Sequence, residues 1–153
     1  MQFGHVGIAL LIATCDWRPE TIAVVAASHF LPNGDTLLVK TGIAKEGFHF
    51  SITHTLLFAA GASALVALFS PYYGFLALVS ILAHYLADMP TDTGIMLFWP
   101  FSRRRFSFNL WKDTGYWGAQ MFRGYYSQPF AWILELPIFF ALGLRMLQIY
   151  VVK

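Results

Sequence analysis

Apolar residues fall into five runs separated by short polar breaks. The first, Phe3 to Cys15, is interrupted only by His5 and Thr14. Asp16-Trp17-Arg18-Pro19-Glu20 then forms a polar turn, with Pro19 suited to the first position of a helix. Thr21 to Leu31 is a second short run, rich in Ala and Val. Neither reaches the ~20 residues that a straight helix needs to cross the hydrocarbon. The pattern therefore predicts a helical hairpin, embedded rather than fully spanning. Pro32-Asn33-Gly34-Asp35 is a strong turn signal, and the mixed stretch 36–50, with Lys40, Lys45 and Glu46, reads as a loop.

Ser51 or Thr53 is suited to cap a third helix running from His54 to about Phe69. Small residues crowd that helix from Ala59 to Ala64, the composition used where membrane helices pack closely. Ser70-Pro71-Tyr72-Tyr73-Gly74 turns the chain, with tyrosines suited to a membrane interface. Phe75 to Asp88 returns as a fourth helix. A long polar-aromatic connection follows, at about 89–128, carrying Trp99, Trp111 and Trp117. Pro129 to Val152 is long enough to span, although Glu135, Pro137 and Arg145 interrupt it. Glu135 is expected to partner a neighbouring polar group.

Composition sharpens this into a compartment. The chain is 58% hydrophobic and only 12% charged, with a mean hydropathy of +0.58. Soluble domains run at about 25% charged. The fold class predicted is an all-α integral membrane bundle of about five helices, the first two short and paired, forming a single domain over residues 1–153. The lipid bilayer is the implied partner, and a net charge of +2 gives no reason to expect nucleic acid. Cys15, the single cysteine, has no intramolecular disulfide partner. Ile12-Ala13-Thr14-Cys15 loosely resembles a lipoprotein cleavage site. No Lys or Arg precedes it, however, so the segment is read as mature protein.

The scattered ionisable residues become coherent once successive runs are made antiparallel. His84 and Asp88, four residues apart, share a helix face. His5 opens the first helix, Asp35 follows the second, and His49 and His54 precede or open the third. All six then fall at one end of the bundle, where helical proteins commonly assemble metal sites. Four imidazoles and two carboxylates make an N/O set suited to a divalent metal, zinc first and manganese or iron next, with room for one or two ions. His29, one turn before Pro32, is read as an ordinary partly buried helix histidine. Asn33, Thr53, Thr91 and Gly94 are the candidate supporting residues, while Thr93 and Asp92 read as turn and solvated loop positions.

These blocks resemble the YdjM-type (LexA-regulated) bacterial inner-membrane proteins, described as metal-dependent hydrolases. The resemblance runs from His5 to about Phe101. It is carried by His5; by the turn Pro32-Asn33-Gly34-Asp35; by His49-Phe50-Ser51-Ile52-Thr53-His54-Thr55; and by His84, Asp88, Thr91, Gly94 and Trp99-Pro100. Two positions depart from the pattern: Asn33 stands where the family has an acid, and Phe50 where it has an arginine. The resemblance implies a metal-dependent hydrolase of a bacterial or archaeal inner membrane; the function expected here is hydrolysis at the membrane surface of a small-molecule or lipid substrate such as a phosphoester or lipid headgroup. The alternative is a non-enzymatic membrane protein with a structural or transported metal. Transport is disfavoured because Leu56–Leu68 and Phe75–Ala83 carry no charge.

Charge also predicts orientation. Lys40, Lys45, Arg103, Arg104, Arg105, Lys112 and Arg123 gather at the histidine end, seven of the ten Lys and Arg residues. Basic loops beside membrane helices are retained in the cytoplasm. The N-terminus and the metal site are therefore expected to face it, in a multi-pass topology.

Overall fold

Proline and hydroxyl residues start most of the helices. In a computed structural model describing residues 1–45, 48–115 and 118–151, α1 spans Phe3–Ala13 and α2 spans Pro19–Phe30, with Pro19 opening α2 as its sequence suggests. α4 spans Leu56–Ala67, α5 Pro71–Asp88, α6 Gly118–Tyr126 and α7 Pro129–Tyr150. Ser70 accepts the Tyr73 amide at 3.4 Å and Pro71 follows it, so α5 begins four residues earlier than hydropathy alone indicates. Thr55, rather than Ser51 or Thr53, caps α4, accepting the Phe58 amide at 3.0 Å. Glu46 and Trp117 lie outside the described residues.

Two expectations need correction. The Pro32-Asn33-Gly34-Asp35 turn does not end the second helix. Leu31–Gly34 forms a 3-10 turn with right-handed backbone at Gly34 (φ −58°), and the chain continues as α3, Asp35–Lys40. The apolar rod Pro19–Lys40 is thus 22 residues long. Pro32 lacks an N–H and starts a new hydrogen-bonded segment here without reversing the chain. The second correction is α6, which interrupts the connection after Asp88 that was read as a loop.

The architecture is all-helical, with no strand among the described residues; the loop after α5 contains two isolated bridges, Thr91 to Trp111 and Ile95 to Phe106. Pro19–Lys40 and Pro129–Tyr150 are long and apolar enough to cross a membrane by length and composition, while Phe3–Ala13 and Leu56–Ala67 are shorter apolar helices. A bundle of five integral helices goes further than this. Outward-facing apolar side chains are abundant: Phe69 is 93% exposed and Phe140 70%. Such a surface is costly in water and suited to lipid.

Helix pairing places the chemistry. α5 lies between α2 and α4, while α1 contacts α2, α5 and α7. The far end carries the turn between α1 and α2: Trp17 Nε1 donates to the Tyr150 hydroxyl at 2.7 Å, and Tyr72 donates to Asp16 Oδ2 at 3.4 Å. His5, His84 and Asp88 therefore lie at the opposite end. Glu135, buried in α7, accepts the Gln2 amide at 2.9 Å and the Tyr126 hydroxyl at 2.8 Å, as its position among apolar residues led us to expect.

Close approach of α4 and α5 depends on one glycine. A Cβ at Gly74 would stand 2.4 Å from the Ala67 Cβ and 2.7 Å from its Cα, whereas one at Gly61 would meet nothing within 4 Å. Gly74→Val should therefore destabilise the protein by about 1–3 kcal/mol. Gly61→Ala should be neutral or slightly stabilising, because alanine restricts the unfolded chain at no steric cost. Thermal unfolding in detergent separates the two; equal midpoints would contradict the packing.

Candidate metal centre

Each polar side chain of the centre is delivered by a different local device. α1 presents His5 in its first turn, and α5 ends with His84 and Asp88 on one face. Asp35 opens α3, and the 3-10 turn Ile52–His54 brings in His54. His49 precedes that turn, next to Phe50, whose backbone takes a left-handed φ of 64°. That conformation is uncommon for a bulky residue and tends to occur at functional sites. All six sequence candidates are buried.

A seventh residue, the fifth histidine of the chain, joins them. His29 is fully buried, contrary to its reading as an ordinary helix residue, and its Nε2 lies 3.0 Å from His5 Nδ1. Thr21, Val25, Ser28 and His29 form the buried stripe of α2, so the helical spacing contained the signal. Three groups result: His5, His29 and His84; His54, His84 and Asp88; and Asp35, His49 and His54, each with ligand atoms within 4.8 Å of one another.

Hydrogen bonding fixes which nitrogens carry protons when the rings are neutral. The Ser80 carbonyl can only accept, so His29 Nδ1 donates to it at 3.0 Å. His29 Nε2 is then an acceptor, and His5 Nδ1 must donate to it. This leaves the lone pair of His5 Nε2 facing Asp88 Oδ1 at 3.0 Å. A second chain begins at Asp35, whose Oδ2 accepts the Thr53 hydroxyl at 2.6 Å. The Thr53 oxygen in turn lies 3.1 Å from His54 Nδ1, so that nitrogen donates and His54 Nε2 keeps its lone pair. His54 Nε2 lies 3.4 Å from Asp88 Oδ2, and His84 Nε2 lies 3.0 Å from the same oxygen. His54 Nε2 and both ring nitrogens of His84 have no hydrogen-bond partner. The lone pairs of His5 Nε2 and His54 Nε2 face a buried carboxylate, which is electrostatically unfavourable without a cation among them, and the N-terminal ammonium, 3.7 Å from Asp88 Oδ1, reaches only one edge of the cluster. The donor set therefore fits a bound divalent ion. His54 supports this from a different direction, since burial lowers its pKa to about 4 and keeps it neutral, as a ligand must be.

The remaining candidates divide. Asp35 Oδ1 accepts from His49 Nδ1 at 2.6 Å, and Thr53 links Asp35 to His54 as described. Thr91 contacts the Asp88 backbone carbonyl at 2.9 Å, the ordinary turn-capping arrangement. Gly94 is required by the loop: with φ +61°, a Cβ there would stand 2.7 Å from the Phe106 carbonyl oxygen. Asp92 accepts the Asp113 amide at 2.8 Å, tying the two arms of the loop together. Phe50 packs with Ala59, Ile81, Tyr85 and Ile95 in an apolar cluster. Asn33 borders a cavity of about 230 Å³ that also reaches His5, His49, Phe50 and Asp88.

Comparison with known proteins identifies a family. No curated protein and no solved structure matches the chain. The profile of the YdjM inner membrane protein family matches residues 2–152, nearly the whole chain and well beyond the region where its motifs are recognisable by eye. A buried His/Asp cluster able to hold a metal thus sits in a chain that belongs to the YdjM inner membrane protein family.

Proposed function

We propose that the protein is a metal-dependent hydrolase working at the membrane surface, with a divalent ion held by His5 Nε2, His54 Nε2, His84 Nε2 and Asp88. The observation that carries this reading is the convergence of lone pairs on the buried Asp88 carboxylate. His29 and the Thr53–Asp35 pair orient their neighbouring imidazoles, the usual task of groups behind metal ligands. Because His54 Nδ1 is engaged with Thr53, the Asp35–His49 side is assigned a supporting role rather than a second ion. The ligand set suits zinc, manganese or iron. Such an ion would supply Lewis acidity, polarising an ester or phosphoryl oxygen and easing loss of a proton from water. The cavity beside His5, His49 and Asp88 favours this reading over a purely structural ion, because a structural site is closed.

The first test is metal content. His84→Ala and Asp88→Ala should each abolish metal retention in protein that still inserts into membrane. His29→Ala should weaken affinity by about 10–100-fold while preserving stoichiometry at saturating metal. Unchanged metal by mass spectrometry in both His84→Ala and Asp88→Ala would sink the site.

Orientation is part of the same reading. The basic residues Lys40, Lys45, Arg103, Arg104 and Arg105 support a multi-pass topology with the N-terminus and the centre facing the cytoplasm. A cysteine placed at Lys40 in a Cys15→Ser background should resist an impermeant thiol reagent in intact cells and react once they are opened. Labelling in intact cells would put the chemistry outside.

A further inference from the structure

The tip of the loop after α5, residues 96–105, is pinned at its base and bare at its end. Ile95 and Phe106 exchange both backbone hydrogen bonds, at 3.0 and 2.9 Å, in an antiparallel bridge. Inside that closure the Trp99 amide donates to the Met96 carbonyl at 3.2 Å, and the Ser102 amide to the Phe98 carbonyl at 3.0 Å. One further bond sets the height of the tip. The first amide of α4, at Leu56, donates to the Leu97 carbonyl at 2.9 Å. Leu56 and Leu57 are exposed and begin the outward-facing apolar surface of that helix. The tip thus stands level with the start of an apolar helix surface, the depth at which an embedded helix meets headgroups and aromatic rings collect.

Aromatic and cationic side chains share this tip. Phe98 and Phe101 are exposed, Phe101 to 84%, and Arg103, Arg104 and Arg105 follow, exposed as well. Arg105 turns back and donates to the Gly94 carbonyl at 3.0 Å. Arg104 lies over the Phe106 ring, 5.5 Å from its centroid, and that ring meets Phe98 edge-on at 5.4 Å. Cation and rings therefore form one contiguous surface. None of the three arginines pairs with a carboxylate among the described residues. Residues 93–112 carry Arg103, Arg104, Arg105 and Lys112 but no Asp or Glu, so the loop holds no countercharge of its own.

We propose that this tip docks into the headgroup layer of the surrounding bilayer and selects acidic phospholipids. Arg103 and Arg104 are the countercharges, while Phe98 and Phe101 seat at the acyl boundary. Charge complementarity identifies the occupant. Rings gain by leaving water at that boundary, and guanidinium groups beside them reach lipid phosphates. Clusters of basic residues next to membrane helices are attracted to anionic lipid in this way. The proposal makes no use of the bound ion, so its failure would leave the hydrolase reading untouched.

The test reconstitutes the full chain into bilayers of phosphatidylcholine mixed with phosphatidylglycerol. Electron spin resonance then reads how much spin-labelled phosphatidylglycerol, against spin-labelled phosphatidylcholine, the protein holds motionally restricted. Wild type should prefer phosphatidylglycerol. The double variant Arg103→Gln/Arg104→Gln should lower that preference roughly fivefold at low salt, and added salt should lower it in wild type. Lys112→Gln, a charge change on the same loop outside the tip, should leave it nearly unchanged. Phe101→Cys in a Cys15→Ser background, carrying an NBD fluorophore in place of the ring, should give blue-shifted emission in these bilayers. No preference in wild type, or one that survives the double substitution, would overturn the proposal. So would an equal loss in Lys112→Gln, which would assign the effect to net charge, or aqueous emission from the probe at position 101.

Discussion

A carboxylate and several imidazoles buried with their acceptor sides facing one another form the constraint around which this protein is organised. Asp88 Oδ1 and Oδ2 lie within 3.4 Å of ring nitrogens of His5, His54 and His84, with little exposure to solvent. In a low-dielectric interior such an arrangement is expensive unless a positive charge lies among the groups. The hydrogen bonds behind the rings make escape by tautomer exchange costly. His29 would have to abandon Ser80 before His5 could turn its proton toward Asp88, and His54 would have to abandon Thr53.

Helix packing follows from the need to bring these groups together. Asp88 and His84 come from the end of α5, which is wedged between α2 and α4 and touches α1. Small side chains make that possible: Gly74 admits Ala67 at the α4–α5 crossing, and Gly7 admits Ile138 and Phe139 where α1 meets α7. Apolar side chains then face outward along α7, while the buried histidines and Asp88 gather at one end. An apolar outer surface of this extent is unusual for a soluble protein. Membership of an inner membrane family and the two long apolar segments give that surface its reason.

Much of the centre was legible in the sequence because helix ends and i,i+4 spacing are local signals. His84 with Asp88, and the placement of His5 at the start of a run, needed only antiparallel connections to converge. His29 was missed as a contributor because a lone histidine on a short helix resembles a satisfied core residue, and its partner Ser80 lies 51 residues away. The turn at Pro32-Asn33-Gly34 misled in another way. Proline and glycine commonly end helices, yet right-handed backbone at Gly34 let the chain run on into α3. α6 was hidden in a stretch whose aromatic and polar residues lack the long apolar run that marks the other helices. Thr91 and Gly94 illustrate the converse, since motif positions beside the His/Asp cluster turn out to shape the loop rather than the cluster.

The account stands or falls on what surrounds the ion. X-ray absorption at the edge of the metal retained by purified protein reads this directly. The account predicts a shell of nitrogen and oxygen only, with the outer-shell scattering of about three imidazoles, the number assigned as ligands here. A sulfur in the shell, from Cys15 or a methionine, or an all-oxygen shell without imidazole, would contradict it.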